Sequence, residues 1–83
     1  MTVVNKEIEI NSVAFINRRG VKSVPRKITV DHAEYAFIDS GLQFLIQKGQ
    51  HLIRLFDMTD GQQIYRLRLE DDRWTLVGIS ELA

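Results

Sequence analysis

Four runs in the second half of the chain, Leu42 to Lys48, His51 to Asp57, Gln62 to Glu70 and Arg73 to Ile79, alternate apolar and polar residues between short polar or glycine-containing segments. A period of two puts successive side chains on opposite faces of an extended backbone, so four such runs joined by turns predict an antiparallel β-meander. The first half is less regular. Glu7 to Ile10 alternates, changes phase at Asn11 and Ser12, and continues as the apolar run Val13 to Ile16, a break that predicts a bulge or bend of the kind that passes one strand across two sheets. Asn17 to Val24 is polar and basic and reads as a loop or splayed hairpin, with Pro25 marking the entry to the next strand.

Turn chemistry sets the expected register. Arg26 to Val30 and Tyr35 to Ile38 form a hairpin if Asp31 pairs with Glu34, which sets Val30 against Tyr35 and Ile28 against Phe37; the rival is a short helix over 32–40, capped by Asp31 and Glu34 and stopped at Gly41. Gly49-Gln50 suits a two-residue turn with glycine first, pairing Ile46 with Ile53 and Phe44 with Leu55. A two-residue loop at Asp60-Gly61 would set Leu55 against Arg66 and Ile53 against Arg68, burying arginines without an evident partner. A three-residue loop, Thr59-Asp60-Gly61, avoids this by pairing Leu55 with Tyr65 and Ile53 with Leu67. A tight turn at Asp71-Asp72 then pairs Leu69 with Trp74, Leu67 with Leu76, Tyr65 with Gly78, and Glu70 with Arg73.

The expected core is therefore Leu42, Phe44, Ile46, Ile53, Leu55, Tyr65, Leu67, Leu69, Trp74 and Leu76, closed by Ile8, Ile10, Ile28, Val30 and Phe37. The fold class that follows is all-β: an antiparallel meander of six to seven short strands rolled into a small, partly open barrel, an SH3-like or similar roll, in a single domain spanning 1–83.

Composition narrows the picture modestly. A chain of 83 residues without cysteine has one modest core and neither disulfides nor thiolate metal sites, and no apolar run approaches a membrane span or a secretory leader. The expectation is a cytoplasmic protein with no membrane partner. Its eleven basic and eleven acidic residues are unevenly placed: residues 1–30 carry six basic and two acidic groups, the remainder five and nine. That asymmetry suits a polyanion site or head-to-tail self-association, unless the fold interleaves the halves.

No catalytic, metal-binding or phosphate-loop motif is present, so candidate chemistry rests on the face opposite the expected core. There Arg54, Arg66 and Arg68 crowd together, and like charges directly opposed repel unless an anion or an acidic side chain sits among them. With the basic stretch Arg18, Arg19, Lys22, Arg26 and Lys27 they form the candidate anion or nucleic-acid site. The bland alternative is that the arginine stems cover neighbouring apolar side chains while their heads stay solvated. Phe56, Ile64 and Ile79 lie on the same face, are too apolar for a wet surface, and are the candidate self-association residues. His32 and His51 stand at no ligand spacing, and Asp57 and Asp60 lack a calcium-loop pattern. Glu70, Asp71 and Asp72 sit on a hairpin tip without a cavity to tune them. No cofactor, metal site or catalytic residue is expected. The leading expectation is a non-enzymatic binding or protein-interaction module, self-associating or binding another protein. The alternative is a nucleic-acid-binding β-barrel, and an enzyme with a site between subunits is the third class left open.

Overall fold

The computed structural model describes residues 1–17 and 21–82, and within them the chain is all-β. Eight strands follow in order: β1 (Thr2–Glu7), β2 (Glu9–Asn17), β3 (Val21–Val30), β4 (Ala33–Ala36), β5 (Asp39–Lys48), β6 (His51–Thr59), β7 (Gln63–Glu70) and β8 (Arg73–Glu81). They build a five-stranded sheet in the order β1-β8-β7-β6-β5 and a three-stranded sheet in the order β2-β3-β4, every pair antiparallel. The two sheets do not close into a barrel, and the result is a partly open roll with one strand more than the upper expectation.

The chain crosses between the sheets at two corners. At the first, β1 runs into β2 through Ile8, whose N–H donates to the Trp74 carbonyl of β8 at 3.0 Å. At the second, Phe37 N–H donates to the Arg26 carbonyl of the small sheet and Ile38 N–H to the Thr59 carbonyl of the large one, each at 2.8 Å. The expected phase break is present as register irregularities between Ile10 and Ser12 and between Ser12 and Val13. A bulge there twists the strand.

Three turns are as short as the sequence implies. Gly49, at φ 61, takes the first position of the β5–β6 turn, and Ile46 faces Ile53 and Phe44 faces Leu55 as expected. Asp71 and Asp72 both adopt positive φ, 52 and 59, which matches the right-handed strand twist, and Leu69 faces Trp74. Asp31 and His32 do the same at 49 and 67, so β3 and β4 form a hairpin where a helix over 32–40 was the rival. Its pairing differs by two residues from expectation, which keeps the faces: with the turn at Asp31-His32, Val30 faces Ala33 and Ile28 faces Tyr35.

The β6–β7 connection overturns the expected face assignment. Thr59 pairs with Ile64, Met58 with Tyr65, Phe56 with Leu67, and Leu55 with Arg68. The connection is Asp60-Gly61-Gln62, later in the chain than Thr59-Asp60-Gly61, and the pairing is displaced by three residues from the expected one. Asp60 holds it, its Oδ1 accepting from the N–H groups of Gln62 and Gln63 at 2.9 and 2.8 Å and its Oδ2 from the Tyr65 hydroxyl at 2.9 Å. The backbone donors lower the Asp60 pKa, while burial and then Asp60 push the Tyr65 hydroxyl up to about 12. A displacement by an odd number of residues moves every side chain of β6 to the other face. A second irregularity, between Arg66 and Leu67, sets Tyr65 opposite Ile79, so Tyr65 does not lie over Gly78. Met1 and the Thr2 carbonyl cover that glycine instead.

The buried core is accordingly Ile8, Val24, Ile28, Val30, Phe37, Phe56, Met58, Tyr65, Leu67 and Leu76, with Val4, Ile10, Tyr35, Leu69, Trp74 and Ile79 packed against it. Tyr65 joins the sheets through Tyr35 and Phe37, ring centroids 5.5 and 5.3 Å away. Leu42, Phe44 and Ile46, expected inside, are exposed, and Ile53 and Leu55 are only half-buried.

Candidate interaction edge

β5 ends the five-stranded sheet, and every residue from Gly41 to Gln50 is exposed. An edge strand leaves backbone N–H and C=O groups unpaired along one side, and proteins ordinarily blunt such edges with charge, bulges or brevity. Two of the other edges do so. β1 carries a register break and the positive-φ residue Asn5 beside Lys6 and Glu7. β4 is only four residues long with Glu34 in it. β2 is broken twice before an uninterrupted, uncharged stretch from Val13 to Asn17. β5 is ten residues long and is itself bulged between Ser40 and Gln43, but from Gln43 to Gln47 it pairs with β6 without interruption and carries no charge.

The side chains along this edge are apolar on both faces. Leu45, 65% exposed, and Leu52, 50% exposed, share the face of Phe56 but lie where the small sheet does not cover them. Phe44 and Ile46 point to the opposite face beside Ile53 and Leu55. The hairpin exists because Gly49 accepts the turn at no steric cost, and Gln47 Nε2 donates to the Gly49 carbonyl at 3.0 Å.

The sequence-derived arginine cluster is divided. Arg66 and Arg68 lie on the outer face with Asp57, while Arg54 pairs with Leu69 on the side of Phe56. Arg66 donates from Nε and Nη2 to both Asp57 carboxylate oxygens at 2.8 and 2.9 Å, and its guanidinium carbon lies 5.4 Å from the Phe44 ring centroid. That hydrogen bonding raises the Arg66 pKa against the opposing effect of burial. The acidic side chain needed among the arginines is thus Asp57, and Arg68 lies 3.7 Å from Glu70. Of the basic stretch, Arg26 and Lys27 are exposed on β3, Lys22 belongs to the β2–β3 ladder, and Arg18 and Arg19 lie outside the described residues.

The expected self-association residues are not on an open surface. Phe56 is a core residue at 5% exposure, because the β6–β7 register turns it inward against Trp74, ring centroids 5.2 Å apart. Ile79 packs against the core, and Ile64 is half-buried. The exposed apolar side chains of β5 instead include Leu42, Phe44 and Ile46, which the sequence pattern assigns to the interior.

One constellation escaped the sequence reading. The β5–β6 and β7–β8 turns lie at the same end of the sheet, and His51 Nε2 sits 2.5 Å from Glu70 Oε2 with Nδ1 3.8 Å from Asp71 Oδ1. Glu70 and Asp71 also line an open cleft of about 480 Å³ with Glu7, Arg68, Arg73 and Thr75. His51, Glu70 and Asp71 could each offer a ligand atom, all within 4.8 Å, but both imidazole nitrogens already face carboxylates, a geometry that retains a proton. The Glu70 hydrogen bond and then the Asp71 charge raise the His51 pKa above 6.5. Because the folded value is raised, the ion pair contributes fully below the unfolded value and is lost as pH rises through the folded one. A proton NMR titration is expected to place His51 above 6.5, with Glu70→Gln bringing it down. A wild-type value at or below 6.5 would contradict the pairing.

Comparison with protein-family models, with curated proteins and with solved structures finds no match to this chain.

Proposed function

We propose that this chain is a non-enzymatic protein-interaction module that takes up an extended strand along β5. The observation that carries this reading is the edge itself: Gln43 to Gln47 of β5 is an uninterrupted, uncharged run of exposed residues with apolar side chains on both faces. Strand addition draws affinity from main-chain hydrogen bonds and selectivity from alternate side chains. The rival reading, a nucleic-acid surface on the arginine face, has less support, since Asp57 neutralises Arg66, Glu70 faces Arg68, and Arg54 lies on the other side. No helix among the described residues is long and apolar enough to cross a membrane. A cysteine-free chain suits a reducing compartment, and the proposed setting is the cytoplasm.

The test is an NMR titration of isotope-labelled protein with a lysine-flanked alternating Val-Thr peptide matching β5 in length. Binding with Kd below about 1 mM should shift β5 and β6 amides and slow exchange at β5. The same peptide with a central proline should not bind, because it cannot complete the ladder. Leu45→Lys should abolish binding while leaving the domain folded, since Leu45 is exposed. Shifts confined to other strands, or no binding, would refute strand addition at β5.

A further inference from the structure

We infer that the strand taken up by β5 is the β5 of a second copy of this chain, forming a two-fold dimer about Phe44. This rests on the strand-addition reading above and specifies its partner. A two-fold axis perpendicular to an antiparallel pair places one residue opposite its own copy, so every other contact occurs twice. Centred on Phe44, the axis pairs Gln43 with Leu45 and sets Leu42 against Ile46, and the bulge of β5 between Ser40 and Gln43 falls towards the copy's Gln47 and Lys48. No like charges meet in that register, the apolar Leu42 and Ile46 lie together, and Leu45 meets the uncharged Gln43.

The ends of the strand supply charge complementarity. β5 begins at Asp39 and ends at Lys48, so the antiparallel copy brings each Lys48 to the bulged end of the strand that holds Asp39. A cleft of about 150 Å³ lined by Ile38, Asp39, Ser40 and Met58, among others, opens at this end of the strand, where the second copy's hairpin tip arrives. At the centre, the two Phe44 rings face one another, each beside an Arg66 guanidinium whose charge Asp57 already balances. The arginines therefore do not drive the copies apart. Association joins two five-stranded sheets into one continuous sheet and covers Leu42, Phe44, Leu45 and Ile46, which a monomer leaves in water.

The test combines sedimentation equilibrium with single-cysteine cross-linking, a clean probe because the chain has no cysteine. Directly opposed residues of an antiparallel pair have Cα atoms about 4.5–5.5 Å apart, within disulfide range. Phe44→Cys should therefore form a disulfide dimer on mild oxidation, and Gln43→Cys should not, since Gln43 faces Leu45. Wild-type protein should sediment as a dimer at concentrations below about 1 mM. Leu45→Lys should make it monomeric. Lys48→Glu should weaken the dimer roughly tenfold, and the exchange Asp39→Lys with Lys48→Glu should restore it, as expected of two symmetric surface pairs.

A protein that stays monomeric up to about 1 mM yet binds the Val-Thr peptide overturns the second-copy inference and leaves strand addition standing. A monomer that binds no peptide overturns both. A dimer that is indifferent to Leu45→Lys, or that cross-links through Gln43→Cys and not Phe44→Cys, overturns the pairing about Phe44.

Discussion

Phe56→Ala is expected to lower unfolding free energy by about 3–5 kcal/mol, the usual range for removing a buried aromatic side chain. Phe56 is 5% exposed, faces Leu67 across the ladder, and packs its ring on Trp74. At roughly 0.05–0.15 kcal/mol per residue, a domain of this length has a total stability not far above that loss, so much of the variant should be unfolded at room temperature. Urea denaturation followed by Trp74 fluorescence measures it. The paired control is Phe44→Ala, expected within about 1 kcal/mol of wild type because that ring is largely outside the core. Equal losses at the two positions would show that the faces of β6 are not as described.

Asp57→Ala is the second large effect, expected at about 2 kcal/mol by urea denaturation. The Asp57 side chain is only 12% exposed and accepts two charge-assisted hydrogen bonds from Arg66. Removing it leaves a half-buried guanidinium without its acceptor, which costs more than the pair itself contributes. Arg66 can reach some water, which keeps the loss below that of a fully buried pair. Adding Arg66→Leu should recover most of it, because the orphaned donor then disappears. A loss under about 0.5 kcal/mol for Asp57→Ala would mean that the pair is solvated and contributes as an ordinary surface bridge does.

Strand identity was legible from Leu42 onward, where alternation and turn residues agree; β1 was not legible, and Val21 to Val24, which read as part of a loop or splayed hairpin, belong to β3. Register was legible where two residues make the turn: Gly49-Gln50 and Asp71-Asp72 admit few geometries, and the pairs Phe44–Leu55, Ile46–Ile53, Leu69–Trp74 and Leu67–Leu76 follow. It was not legible across β6–β7. There the loop is shaped by the Asp60 carboxylate gathering two backbone donors and the Tyr65 hydroxyl, which alternation does not report. Reasoning that arginines avoid the core was sound, but it assumed they had no partner. Asp57 sits inside β6 opposite Arg66, and reading that carboxylate as a strand residue would have pointed to the observed pairing. The candidate site inherited the inversion on β5 and β6: Leu42, Phe44 and Ile46, expected inside, are exposed and Phe56 is the reverse, while Tyr65, Leu67 and Leu76 on β7 and β8 are buried as expected. His51 and Glu70 could not have been joined beforehand, since their contact depends on that same register.

The order of strands also bears on how the chain reaches this structure. β5 to β8 form a meander of consecutive hairpins, two of them closed by two-residue turns, so their ladders cost little loop-closure entropy. β1 joins the same sheet by pairing Thr2, Val3, Lys6 and Glu7 with Ile79, Gly78, Leu76 and Thr75, contacts separated by almost the whole chain, which are the slow kind to form. The meander can therefore assemble first, with β5 already bare along one side while the opposite margin of the sheet still waits for β1. During that interval a nascent sheet has two open margins, and chains at high concentration can stack through either. Refolding yield should then fall steeply with protein concentration, and Leu45→Lys, which closes one of those margins, should raise it.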